Sequence, residues 1–287
     1  MRVILPFNFT FRVNTTYLRK ESTIKVKSIH EMSIAAASLL ILVSSLSTGA
    51  FALAVSSPSS PTAKLQLKYF DIKGAAETCR VLLALGGEDY TDTRYQMDPT
   101  TFQSPQFLED KSSGKLSINL NRAPVLITPS GRTIGQSKAI ERYIARKCGL
   151  MGRTSEEEAI IDCIAEHCRD VKDAAMRKRF SKFVKDKTDE EKAKDRTQWF
   201  NEDMPLLLSK IEQSVTEIST RPGYTLGDEP TYADVTIWAL LRDCSDTDLD
   251  DTTMAAAKCK SLNAIADQIA SHPGVAKWLN DRPKSTW

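Results

Sequence analysis

Lys64-Leu65-Gln66-Leu67-Lys68-Tyr69-Phe70-Asp71-Ile72-Lys73-Gly74-Ala75-Ala76-Glu77 reads as a strand, a turn and the opening of a helix. Leu65, Leu67 and Tyr69 alternate with Gln66, Lys68 and Phe70, the period of two expected of a strand. Gly74 interrupts the chain. From Ala75 to Leu85 the apolar residues Ala76, Cys79, Leu82 and Leu83 recur at helical spacing, and Gly86-Gly87 stops them. A strand that feeds a helix sets its last residues beside the helix N-terminus, where negative charge is stabilised. The group placed there is the phenol of Tyr69.

Continuing toward the C-terminus, a second strand is expected near Tyr90–Tyr95. Residues 98–121 are polar and irregular, with Phe102, Phe107 and Leu108 able to support a short helix. Ala123-Pro124-Val125-Leu126-Ile127 is a buried-strand run, and Pro129-Ser130-Gly131 turns it into Arg132-Thr133-Ile134. Ser137 then stands where a helix begins, with Ile140, Tyr143 and Ile144 facing inward. The order is β-α-β followed by β-β-α, which implies one sheet with helices on its faces.

Strand signals end near residue 154. Ser155–Lys185 places Ile160, Ile161, Ile164, Val171 and Ala175 on one helical side. Residues 188–219 do the same with Trp199, Phe200, Leu206, Leu207, Ile211, Val215 and Ile218. Thr231-Tyr232-Ala233-Asp234 is a capping box with Asp in the third position. It opens an almost wholly apolar helix, expected at the centre of an all-helical domain. Helices at 258–271 and 273–280 complete the chain. The acidic run Asp246, Asp248, Asp250, Asp251 lacks the glycine and the final acid of a calcium loop and reads as solvated loop. Cys163, Glu166, His167 and Cys168 lack a fourth ligand at the usual zinc spacing, so no metal site is expected.

The N-terminal region differs from everything after it. Residues 1–31 hold six basic residues against two acidic ones, a local charge of +4 in a chain of net +2, which leaves −2 for residues 32–287. No basic surface remains to argue for nucleic acid. From Met32 to Ala63 there is no charged residue, and Ile34–Val43 is an apolar block followed by small residues. That layout is expected of a targeting leader, removed or structureless over residues 1–63. Met32 is a second candidate start, and a membrane anchor is the competing reading. Gly49-Ala50-Phe51-Ala52 resembles the junction of plastid presequences. The leader therefore implies the secretory route or a plastid, and the cytoplasm if it is not used. The six cysteines show no CxxC pair.

Four segments in this order resemble the soluble glutathione S-transferases. Leu67-Lys68-Tyr69-Phe70 with Gly74-Ala75-Ala76-Glu77 is similar to the first strand and turn of the prostaglandin D synthase-like sigma class. Arg122-Ala123-Pro124-Val125 resembles the cis-proline strand, Gln136-Ser137 the γ-glutamyl-binding turn, and Tyr232-Ala233-Asp234 the capped central helix. The resemblance spans about residues 64–285. It implies a thioredoxin-like α/β domain (βαβ–ββα) at 64–148 and an all-α C-terminal helical bundle at 154–287.

It also implies glutathione as co-substrate and a hydrophobic electrophile as second substrate, with Tyr69 activating the thiol. Asn121, Arg122, Ala123, Pro124, Gln136 and Ser137 would bind the tripeptide. Asp170 would reach the glutathione of the other subunit of a homodimer. Lys111 and Lys115 are candidates for its glycyl end. Two positions depart from the class: Ala75 stands where an arginine often follows the glycine, and Arg177 where an aromatic residue lines the second-substrate pocket. Three activities stay open: conjugation of electrophiles with a peroxidase side activity, glutathione-dependent isomerisation of a lipid of prostaglandin type, and a silent crystallin-like role. A dithiol redox enzyme is excluded, because no cysteine lies between Tyr69 and Glu77.

Overall fold

The structure, a computed structural model, describes residues 64–284; the leader expected over residues 1–63, with Met32 and the apolar block at 34–43, lies outside the described residues. Strand β1 (Leu65–Phe70) pairs in parallel with β2 (Tyr90–Tyr95) and antiparallel with β3 (Val125–Ile127), which pairs antiparallel with β4 (Thr133–Gly135). The sheet order is β2-β1-β3-β4. Leu65, Leu67 and Tyr69 are buried and their alternates are half-exposed, as the period of two requires. Helix α1 (Glu77–Leu85) follows one turn of 3₁₀ helix at Gly74–Ala76, and α3 (Ser137–Lys147) follows β4. The short α2 (Pro105–Ser112) forms inside the irregular stretch, capped by Ser104.

The all-helical part begins with α4 (Ser155–Lys178), whose N-terminus is capped by Thr154. This helix is shorter than its periodicity predicts, because Arg179 adopts a left-handed conformation (φ 58°) and ends it. Ile160 is exposed rather than inward. The buried stripe runs through Ile161, Ile164, Cys168 and Val171, spaced by three or four, and Ile160 lies at its edge, about 60° from its centre. The region 188–219 is not one helix: α5 (Asp189–Gln198) and α6 (Met204–Ile218) are joined by a π-helical turn at Trp199–Asp203. The wider turn resets the phase. Trp199, Phe200, Met204, Leu208, Ile211 and Val215 are buried, whereas Leu206 points to solvent.

Every residue of α7 (Tyr232–Leu241) is buried, and α4 and α9 (Lys260–Ser271) pack on it. The acidic run forms a helix, α8 (Asp246–Ala255), instead of a solvated loop. Asp248 and Asp251, three apart on one face, both bind Arg196 of α5, and that shared partner holds the turn between them helical. Helix α10 (Pro273–Asp281) returns to α1.

Candidate active site

Tyr69 ends β1 with only a small part of its surface exposed, and its phenol oxygen accepts a hydrogen bond from the backbone N–H of Ala75 at 3.1 Å. The chain achieves this by turning back at Gly74 (φ +43°). A Cβ there would lie 2.7 Å from the phenol oxygen, so glycine is required both for conformation and for space. Because the oxygen is the acceptor, the phenolic hydrogen remains to be donated elsewhere. It meets no acceptor among the described residues.

The turn is held from behind by Arg80, which is fully buried. It donates to the carbonyls of Ile72 (2.8 Å) and Lys73 (3.4 Å), to Glu77 (3.2 Å) and to Asp92 (3.1 Å). Arg94 extends the network by binding Asp92 at 2.8 Å and Asp71 at 2.9 Å. Burial raises the Asp71 carboxyl pKa, but hydrogen bonds from Arg94 and Gln96 outweigh it and hold the carboxyl below its ordinary value. The loop between Tyr69 and α1 is thus fixed by charge-assisted bonds rather than by its own sequence.

Three chain segments converge at this end of the sheet. The Lys68–Val125 pair places Tyr69 one step beyond the last rung with β3, and Val125–Gly135 places Gln136 one step beyond the rung with β4. Between them stands the cis Ala123–Pro124 peptide, with Pro124 buried and Ala123 half-buried. Gln136 holds φ at 65° and occupies the cap position of α3, while Ser137 is the first helical residue instead of the cap. The leading N–H groups of α3, at Ser137, Lys138 and Ala139, have no intrahelical acceptor and face an anion-friendly end.

Asn119 joins these segments, and the sequence reading passed over it. It is buried. Its Nδ2 donates to the carbonyls of Arg122 (3.0 Å) and Pro124 (2.9 Å), while its Oδ1 accepts from the N–H of Gln136 (2.9 Å).

The remaining candidates divide. Asn121 and Arg122 are exposed, and Asn121 shares an open pocket of about 670 Å³ with Lys111, Leu108, Glu109 and Ser112. Lys115 instead binds Asp110 at 3.0 Å. Burial pushes that carboxyl up, but Lys68, Lys115 and the hydroxyl of Tyr95 outweigh it and bring it down to about 2. Asp170 lies on α4 with its side chain 68% exposed, 3.7 Å from Arg169, and is not brought to the sheet end.

A second pocket, of about 560 Å³, opens in the helical part. Val171, Met176, Phe180, Trp199, Phe200 and Leu240 supply its apolar walls. Arg177 is exposed, and its neighbour Met176 faces the pocket. The π-helical turn is what brings both Trp199 and Phe200 to it. The volume falls within the range of about 300–1,000 Å³ usual for small-ligand sites.

Comparison with known proteins agrees with this architecture. The family description "Glutathione S-transferase, N-terminal domain" matches residues 65–146, and "Glutathione S-transferase, C-terminal domain" matches residues 174–282. Hematopoietic prostaglandin D synthase of Gallus gallus is 31% identical over 223 residues, which cover 77% of this chain and 97% of that protein. S-crystallin 2 of Octopus vulgaris is 27% identical over 220 residues, covering 75% and 95%. The solved glutathione S-transferase of Ascaris lumbricoides superposes with a TM-score of 0.61 at 25% identity, over 78% of this chain and all of that one. With a sheet-end tyrosine, a cis-proline strand and a buried central helix in the family's order, the chain belongs to the glutathione S-transferase family.

Proposed function

We propose that Tyr69 activates glutathione by donating its phenolic hydrogen to the thiolate sulfur, and that the ionised thiol conjugates hydrophobic electrophiles. The observation that carries this reading is the Ala75 N–H bond to the phenol oxygen, which orients the ring and leaves the O–H outward. Glutathione supplies a thiol that, once ionised, attacks an electrophilic carbon. A free thiol titrates near 8.5, so holding it ionised at pH 7 requires about two units, or about 2.7 kcal/mol. One charge-assisted hydrogen bond beside a helix N-terminus is of that order.

The other roles follow from placement. The backbone of Ala123 at the cis peptide binds the cysteinyl part, with Pro124 fixing that backbone. Gln136, Ser137 and the open N–H groups of α3 bind the γ-glutamyl carboxylate. Asn121, Arg122 and Lys111 stand toward the glycyl end. The apolar pocket of the helical part receives the electrophile, and Asp170 serves the neighbouring subunit of a homodimer. An isomerase of prostaglandin type, the activity named for the Gallus gallus relative, is the second reading. Ala75, which offers only a methyl group, and the outward Arg177 favour conjugation over it.

The test is conjugation of chlorodinitrobenzene by wild type and Tyr69→Phe. Loss of the donor is expected to lower kcat/KM by about 30- to 100-fold while glutathione still binds. Equal turnover in the two proteins would remove Tyr69 from the mechanism, and absence of turnover in both would favour the crystallin-like role.

A further inference from the structure

The chain leaving α4 is strongly basic. Within residues 177–187, Arg177, Lys178, Arg179, Lys182, Lys185 and Lys187 stand against one acid, Asp186, a local charge of +5. The net −2 of residues 32–287 conceals it. Three of the six bind carboxylates: Lys178 with Asp203 at 2.6 Å, Arg179 with Asp186 at 2.6 Å and Lys187 with Asp195 at 2.5 Å. Arg177, Lys182 and Lys185 are exposed. Neither Arg177 nor Lys185 bonds to a carboxylate among the described residues, and Lys182 stands over the Phe183 ring at 5.4 Å. The acids that open α5 do not offset this charge. Lys192 binds Asp189, and Glu191 closes the capping box on Thr188, which leaves Glu190.

Two large apolar side chains stand out among these cations, Phe183 at 59% exposure and Met176 at 70%. The local fold puts Phe183 there. Arg179 turns left-handed and ends α4, and the Val184 N–H then bonds to the Ser181 carbonyl at 3.0 Å, closing a tight turn. Phe180 packs on Phe200 with 5.9 Å between ring centroids, and both Phe180 and Val184 line the apolar pocket. Those two anchors face inward, so Lys182, Phe183 and Lys185 are left outward on the same turn. Met176 stands on the rim of that pocket as well. Apolar side chains ringed by ammonium and guanidinium groups suit a boundary that offers anionic headgroups and acyl chains together. Met176 favours lipid over a nucleic acid, whose bases stack on aromatic rings and gain little from a thioether chain.

We propose that the turn spanning residues 176–187 docks this protein on membrane surfaces containing anionic phospholipid. Phe183 and Met176 enter the headgroup boundary, and Arg177, Lys182 and Lys185 meet the headgroup anions. The contact is peripheral and reversible, because three cations and two apolar side chains are too few for a permanent anchor. The apolar pocket opens behind the turn, so a docked chain meets compounds dissolved in the lipid. That consequence alone rests on the conjugation reading above.

Cosedimentation of the full chain with vesicles of phosphatidylcholine, and of phosphatidylcholine mixed equally with phosphatidylserine, reads the contact directly. Wild type is expected to bind the mixed vesicles at least about tenfold more tightly than the neutral ones, and to lose that binding as salt is raised. Each cation at an anionic surface favours binding by about fivefold, so the triple variant Arg177→Gln, Lys182→Gln, Lys185→Gln should bind about 100-fold more weakly. Phe183→Ser should weaken binding severalfold and keep the salt dependence. Hydrogen exchange should show amides of residues 180–187 protected when mixed vesicles are added to wild type. Equal binding to both vesicles, no binding to either, or wild-type binding by the triple variant would overturn the proposal. So would protection confined to residues 1–63, which would place the contact in the leader, or tighter binding of duplex DNA than of mixed vesicles in the same salt. A urea midpoint checks that each variant folds; if the triple variant does not, unprotected amides at 180–187 in wild type would overturn the proposal by themselves. No measurement here involves glutathione or turnover, so failure of the Tyr69 role would leave the docking surface standing.

Discussion

Asn119 does at the sheet end what no backbone ladder can do, since the cis-proline segment and the start of α3 leave polar groups facing each other rather than paired. Three of its four hydrogen-bonding positions are used, two on carbonyls and one on the Gln136 N–H. Gly135 makes room for it, as a Cβ there would fall 2.6 Å from the Asn119 Cβ. In Asn119→Ala those three groups lose their partner inside the protein, where one unsatisfied buried group costs about 1–3 kcal/mol. We expect a loss of that order in urea unfolding and a rise in the glutathione KM of at least about fivefold, with the chlorodinitrobenzene KM little changed. An unaltered glutathione KM would separate Asn119 from the site. Tyr69 and Pro124 were legible in the sequence because each stands at the end of an alternating or apolar run. Asn119 was not. An asparagine in a polar stretch rich in Ser and Gly reads as an ordinary turn former, and its three partners are set by tertiary approach.

At the scale of elements, agreement followed the strength of the local signal. Strand β2 and the wholly apolar α7 were foreseen because their patterns admit one interpretation. The end of α4, the break between α5 and α6, and the helicity of α8 were not, since each depends on a distant partner or on one residue's backbone. The π-helical turn is the instructive case: hydrophobic spacing continues across it, so the pattern reads as one helix, yet the turn directs two adjacent aromatic residues to the same pocket. Helix α7 depends on Asp234, fully buried, whose carboxylate accepts from Thr231 N (2.7 Å), Thr231 Oγ1 (2.8 Å) and Thr225 N (2.6 Å). Asp234→Ala removes all three acceptor contacts at the N-terminus of the central helix. The expected cost is about 2–4 kcal/mol, read as a lower urea midpoint. Asp234→Asn, which keeps one oxygen, should lose less. A cost below about 0.5 kcal/mol in Asp234→Ala would show that packing alone sets this helix.

For the molecule as a whole, the two parts of the fold are joined by polar ties that sit behind Tyr69. Tyr232 of α7 donates to Glu141 of α3 at 2.8 Å. Glu77 of α1, almost fully buried, accepts from Trp278 (2.9 Å), Arg282 (2.7 Å) and Arg80 (3.2 Å), and so links the C-terminal helix to the Arg80 that holds the Tyr69 turn. Burial pushes the Glu77 carboxyl pKa up, but the hydrogen bonds from Arg282 and Trp278 and the charges of Arg80 and Arg282 win, and it lies below its ordinary value. A carboxyl depressed by folding contributes stability that is present above its unfolded value, near 4.5, and is lost as pH falls through the folded one. Glu77→Gln leaves two guanidinium groups facing each other without their anion, a change of the kind that costs about 3–5 kcal/mol. The expected result is a lowered midpoint at pH 7 and a flatter decline of stability between pH 5 and 3 than in wild type. Turnover should fall as well, although Glu77 is a positioning residue, because a loosened Arg80 no longer fixes the carbonyls of Ile72 and Lys73. That loss should appear in kcat more than in the KM for chlorodinitrobenzene. Parallel stability curves for the two proteins from pH 7 to pH 3 would show that the tie is held by packing and not by its charge.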